Sequence, residues 1–210
     1  MTLLFSREQY LAAAGAFMRG IERRIAARLD AKVASVASVF VSRWDAATNG
    51  KVAPALRNRL GIAIAQRAYL AYRELLASAR WRMLAAAGAL PQRLLWASTG
   101  AKDPAARDTL YIEALAAPGT INTIPEETLL AFAAHGRVDG VMTADDVAAA
   151  AASAEATLHE FARAGVDVVS LAAELQRSGA RSFAESWNEL LARIATKGER
   201  LTGAAANVRT

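Results

Sequence analysis

The class predicted from the sequence is an α/β fold with parallel strands, and three observations lead to it. Short apolar stretches with β-branched and small residues alternate with amphipathic stretches at helical spacing. Gly88, Pro118-Gly119, Pro125 and Gly136 punctuate the junctions. Hydrophobic residues make up 54% of 210 against 21% charged, enough apolar surface for a sizeable core in one domain.

The elements follow in order. "TLLFS" (Thr2–Ser6) reads as a buried strand, and Ser6 with Gln9 has capping-box spacing for a helix from Arg7 to about Leu29. "KVASVASVFVSR" holds a second strand around Ala34–Val41. A long helical pattern spans about Pro54 to Ala87 and stops at Gly88. The third strand is Arg93–Ala97 in "QRLLWAST", followed by the loop "STGAKDPAARD" and a short helix "TLYIEAL". "TINTI" is a fourth short strand, and Pro125 suits the first position of the helix "PEETLLAFAAH". The remainder is helical: a segment with Thr143 and Asp146 at capping spacing, then "DVVSLAAELQRSG" and "SFAESWNELLARIATK" as two further helices. Four strand–helix units fit half of a closed (β/α)8 barrel, for which roughly 250 residues are typical, or a small open parallel sheet.

Composition removes several function classes. There is no cysteine, and the two histidines, His135 and His159, are far apart, so neither a thiolate nor a histidine-built metal centre is expected. No apolar run has the length of a membrane span and no secretory signal opens the chain, which predicts a cytoplasmic protein with no membrane partner. The formal net charge of +5, carried mainly by arginine, favours anionic small ligands. The densest basic stretch, "RGIERRIAARLD", is interrupted by acids and has no interleaved aromatics, so nucleic acid is not the expected partner. His135 is expected to favour a helix C-terminus and His159 to pair with Glu155 one turn earlier.

In parallel βα architectures the polar residues at the C-terminal ends of strands face the ligand. Here the second strand and its end offer Ser38, Phe40, Ser42 and Arg43, the third Ser98 and Thr99 with Lys102 in the loop that follows, and the fourth Asn122 and Thr123. Hydroxyls and an amide suit sugar hydroxyls. Arg43 can clamp a phosphate with its planar fork and Lys102 can add a point charge. The alternative for Arg43 is a surface pair with Asp45. Asp103, Asp108 and Glu113 show no paired-carboxylate pattern.

"TLLFS", "VASVASVFVSRWD", "QRLLWASTGAKDP" and "TINTIPEETLLAF", in that order and spacing, resemble consecutive segments of transaldolases. The similarity is to the longer bacterial branch, some members of which are fused to a glucose-6-phosphate isomerase. The resemblance implies a cofactor-free (β/α)8 transferase of the pentose phosphate pathway and carbohydrate metabolism. Such enzymes move a dihydroxyacetone unit from sedoheptulose 7-phosphate to glyceraldehyde 3-phosphate through a lysine Schiff base. By position, Thr2 matches a threonine that holds a catalytic water and Ser38 a serine that contacts substrate hydroxyls. Phe40 matches a pocket aromatic, Arg43 the phosphate-binding arginine and Ser98 a serine beside the same phosphate. Lys102 is the candidate for the second basic phosphate ligand.

In that family "TLLFS" is the fifth strand. The resemblance therefore implies the C-terminal half of the barrel, strands five to eight and the closing helices, over residues 1–202; the small, polar composition of 203–210 predicts a disordered tail. The Schiff-base lysine, acid–base aspartate and water-orienting glutamate would all lie upstream of Met1. Lys32, Lys51, Lys102 and Lys197 are poorly placed to replace the lysine, because a Schiff-base amine must be largely deprotonated. The isolated chain is then expected to be inactive, and to associate with itself or with an N-terminal half. The competing functions are a non-catalytic sugar phosphate binding module and a basic helical nucleic-acid-binding protein.

Overall fold

The computed structural model of the chain describes residues 2–138 and 147–207. The elements run α1 (Arg7–Ala26), β1 (Ser35–Phe40), α2 (Ser42–Thr48), a 3₁₀ turn (Pro54–Leu56), α3 (Leu60–Ala77), α4 (Ala79–Ala86), β2 (Gln92–Ala97), α5 (Leu110–Ala114), β3 (Ile121–Asn122), α6 (Glu126–His135), α7 (Val147–Arg163) and α8 (Val168–Asn207). The strands form one parallel sheet in the order β1-β2-β3, so the α/β class holds.

The first expected strand is reduced to a single parallel bridge between Leu4 and Val39. Leu4 N donates to Ser38 O at 3.1 Å, and Phe40 N donates to Leu4 O at 2.9 Å. Pairing stops there because Ser6 already caps α1, its Oγ accepting from Gln9 N at 3.1 Å. The Gln9 side chain closes the motif by accepting from Phe5 N at 2.7 Å, one residue before the cap.

Several helix boundaries differ from the sequence reading. Residues 42–48 form α2, where the strand end and a loop were expected. The long helix from Pro54 to Ala87 is broken twice, at Arg57–Arg59 and at Ser78, whose hydroxyl accepts from Trp81 N and starts α4. The last two expected helices are one, because Gly179 lies inside α8. Pro125 is the N-cap of α6 rather than its first residue. The backbone of α8 continues to Asn207, into the segment read as a tail. The capping pair Thr143 and Asp146 lies outside the described residues.

Alternation along the strands divides the core. Ala37, Val39, Leu94 and Trp96 face α1 and α3 and pack with Tyr10, Ala14, Ala68, Tyr69 and Tyr72. The other face carries Ser38 and Phe40 opposite Leu95 and Ala97. Its C-terminal end packs with Phe5 and Trp44 and with Leu158, Phe161 and Ala172 of α7 and α8. Among the described residues no helix is long and apolar enough to cross a membrane.

The start of α3 meets the end of β1 closely. A Cβ on Gly61 would lie 2.6 Å from Val41 O and 2.7 Å from Asp45 Oδ2, distances that require backbone movement. Gly61→Ala is therefore expected to destabilise the chain by about 2 kcal/mol, the cost typical of overpacking, despite alanine's better helix propensity. Urea unfolding measures this, and a neutral or stabilised variant contradicts the packing.

Candidate functional site

β1 and β2 end in register, Phe40 opposite Ala97, so the segments after them leave the sheet side by side. Ser42 N donates to Ser98 O at 2.9 Å, and the two hydroxyls lie 2.9 Å apart. Ser98 adopts φ 57°, a left-handed conformation uncommon outside glycine, which turns the chain sharply away from β2. Thr2 joins the same edge. Its Oγ1 accepts from Ser38 N at 2.6 Å, fixing the threonine against β1.

Ser38 and Phe40 are both buried on the face away from α1 and α3. Arg43, in the first turn of α2, folds its guanidinium over the Phe40 ring, 5.2 Å from the centroid. The surface pair with Asp45 does not form. Asp45 is 1% exposed and turns inward, accepting from Leu60 N at 2.9 Å, Gly61 N at 3.2 Å and Tyr111 OH at 2.8 Å. Among the described residues no carboxylate pairs with Arg43. The structure therefore brings Thr2, Ser38, Phe40 and Arg43 together, with Ser98 linked to them through Ser42.

Lys102 stands apart. It is exposed and lines a cavity of about 360 Å³ with Asp45, Asn49, Arg57, Asn58, Asp103 and Tyr111, a lining that includes neither Ser38 nor Arg43. Sequence reading missed Asn49, Arg57 and Asn58. Asn58 sits at φ 61°, where asparagine is tolerated, and that turn is the one signal that marked it. Its amide donates to Asp103 Oδ2 at 2.8 Å, and its Oδ1 accepts from Asn49 at 2.6 Å. The bond from Asn58 holds the Asp103 carboxyl below its ordinary range, with the backbone N–H of Ala105 adding to it. A roomier cavity of about 640 Å³ between α1, α3, α7 and α8 is lined by none of the candidate residues.

The remaining titratable groups have local partners. Glu155 pairs with Arg67 at 2.8 Å rather than with His159. His135 directs Nε2 to Asp108 Oδ1 at 2.9 Å, in addition to its place in the last turn of α6. Thr99 is fully buried and donates to Asn122 Oδ1 at 2.8 Å, so both serve the sheet edge.

The sequence model of the family described as Transaldolase/Fructose-6-phosphate aldolase matches residues 1–194 of this chain. A protein named transaldolase from Parafrankia sp. (strain EAN1pec) is 47% identical over 199 residues, covering 91% of this chain and 53% of that protein. Transaldolases from Thermobifida fusca (strain YX) and Frankia alni (strain DSM 45986 / CECT 9034 / ACN14a) are 44% and 43% identical over 203 residues, each covering 93% of this chain and 54% of the relative. The chain thus spans about half the length of the curated relatives it matches.

Burial pushes the Asp45 carboxyl up from 3.8 to about 6, outweighing the three hydrogen bonds that favour its charged form. The folded state therefore binds this proton more readily than the unfolded chain. The stabilisation is full below about 4 and is lost as pH rises through 6. Between pH 7.5 and 5.0 the chain should gain about 1 kcal/mol that Asp45→Asn does not show. The carboxyls held low, such as Asp103 and Asp108, lose their contribution only in more acid solution. Denaturant titrations at the two pH values measure the difference, and parallel profiles refute it.

Proposed function

The chain belongs to the transaldolase/fructose-6-phosphate aldolase family, and from that premise we propose that it binds a phosphorylated sugar at the C-terminal edge of its parallel sheet. The observation that carries this reading is the set Ser38, Phe40 and Arg43 on one strand end. A guanidinium stacked on an aromatic ring, with no carboxylate partner among the described residues, is held in place yet keeps its donors for an oxyanion. In this reading Arg43 takes the phosphate and Ser98 stands beside it. Ser38 meets the sugar hydroxyls, Phe40 walls the pocket and Thr2 holds a water. Lys102 supplies a second positive charge from the loop after β2, and reaches the phosphate only by leaving the cavity it shares with Arg57.

The reaction proposed for the assembled site is transfer of a three-carbon ketose unit between sugar phosphates, as in the pentose phosphate pathway, without metal or organic cofactor. That chemistry needs a neutral amine to form the Schiff base and accept the electron pair released by C–C cleavage. Lys32, Lys51, Lys102 and Lys197 are all exposed, whereas a Schiff-base lysine needs a desolvated pocket. We therefore assign these residues the phosphate-holding half of the site and place the amine on another segment or chain. Acting alone, the chain is a sugar phosphate binding module without turnover.

Two uncovered surfaces support a half barrel. On the face shared with Ser38, Val36 is 37% exposed, Arg93 is exposed, and Leu95 and Ile121 are half-buried. On α8 the residues Phe183, Trp187, Leu190 and Ile194 form an apolar stripe at 45–60% exposure. A closed barrel would cover the first surface with strands one to four. An uncovered parallel sheet with open edges also invites pairing between copies.

Isothermal titration with fructose 6-phosphate should show binding that Arg43→Gln weakens by about tenfold or more, the scale of a charge-assisted bond. Borohydride added to the same mixtures should trap no sugar on the chain. Unchanged affinity removes Arg43 from the site, and a trapped lysine overturns the missing-amine assignment. Size-exclusion chromatography of the chain alone should give a dimer or larger species, and a cooperative, stable monomer would refute the half-barrel reading.

A further inference from the structure

We propose that Gly179 is a positioning residue for Arg43: the missing side chain at this point of α8 lets the helix confine the guanidinium against Phe40. The proposal rests on Arg43 being the phosphate ligand and deepens that reading. Gly179 is buried in α8, and residues 180–201 beyond it are exposed. One turn earlier, Gln176 pegs the helix to the N-terminal segment. Its Nε2 donates to Leu3 O at 2.9 Å and its Oε1 accepts from Gln9 Nε2 at 3.3 Å. That peg fixes the height of α8 over the strand edge.

At this height there is no room for a side chain. A Cβ on Gly179 would lie 3.0 Å from a Leu3 methyl and 3.1 Å from Arg43 Nη1, tighter than ordinary van der Waals contact. The guanidinium thus lies between the Phe40 ring, 5.2 Å away, and the side of α8 at Gly179, with no ion pair among the described residues to hold it. Glycine is a poor helix former, so local propensity does not explain its presence in α8. Close approach does. Both atoms that an added Cβ meets are the ends of flexible side chains, so alanine should displace the guanidinium by a few tenths of an ångström rather than unfold the helix.

Gly198 provides the control, because it lies in the same helix and a Cβ there meets nothing within 4 Å. Using the full chain, fructose 6-phosphate and inorganic phosphate are titrated into the wild type, Gly179→Ala, Gly198→Ala, Arg43→Gln and the double variant Arg43→Gln/Gly179→Ala. Gly179→Ala should weaken both ligands about five- to tenfold while melting at or above the wild-type temperature, as a displaced clamp would. Gly198→Ala should bind normally. In the Arg43→Gln background Gly179→Ala should cause no further loss, since the coupling runs through Arg43. Gly179→Ala binding like Gly198→Ala, or weakening both backgrounds equally, overturns the positioning role while leaving the phosphate reading intact. A wild type that binds neither ligand overturns both.

Discussion

Because β1 and β2 pair in parallel with Phe40 opposite Ala97, both strands release their chains at the same edge of the sheet, and whatever follows each must share that edge. The constraint brings Ser42 and Ser98 together although 56 residues separate them. It also places Arg43 one residue past the junction, on the first turn of α2. A parallel sheet needs a long crossover between neighbouring strands, and α3 with α4 supplies it here, Ala68, Tyr69 and Tyr72 of α3 packing on the face opposite the site. The face that carries Ser38 and Phe40 is covered at its C-terminal end by α7 and α8 and is exposed toward Val36 and Arg93. The chemistry at the edge follows from the pairing rather than from any motif contiguous in sequence.

Arg43 and Asp45 show how the edge separates charges. They are two residues apart on one helical turn, a spacing that does not bring side chains face to face. Asp45 points back into the protein and closes the first N–H groups of α3, with Tyr111 as a third donor. Arg43 points across Phe40 toward α8. If the two had paired, the guanidinium would be neutralised and α3 would lose its cap. The aspartate instead remains a buried carboxylate whose desolvation outweighs its hydrogen bonds. Its neighbouring cation is left available as a result.

Much of this was legible in the sequence, and the exceptions have physical reasons. β1 and β2 were visible because valine, leucine and tryptophan fill them at strand length. The helix α2 was hidden because its seven residues, Ser-Arg-Trp-Asp-Ala-Ala-Thr, are too few to display a helical period. α8 was divided at Gly179 because glycine commonly stops helices, and only the three-dimensional approach of Arg43 and Leu3 explains it mid-helix. Lys102 was grouped with Arg43 because both follow strand ends. The loop after Ser98 instead delivers it to the Arg57 side, and the direction of a loop is set by turns that spacing does not encode. A surface pair of Asp45 with Arg43 stood as an alternative because nothing local announces that α3 starts beside Asp45.

The uncovered surfaces bear on the same question from the side of stability. A sheet face that carries Val36 and Leu95 without a covering layer, and a helix that exposes Phe183, Trp187 and Ile194, leave apolar area in water at about 25 cal/mol for each Å². Evolution of an independent module would be expected to replace such residues with polar ones, since a soluble monomer gains nothing from them. Their exposure is intelligible if the surfaces are covered in the working protein. The proposed site points the same way: Arg43, Ser38 and Phe40 would hold a sugar phosphate but contain no amine to form the Schiff base through which its carbon–carbon bond would break. In the proposed reading, the exposed apolar surface and the need for an amine at the strand edge are independent arguments, one from packing and one from chemistry. A second half of the barrel, bearing a desolvated lysine, would remove both at once.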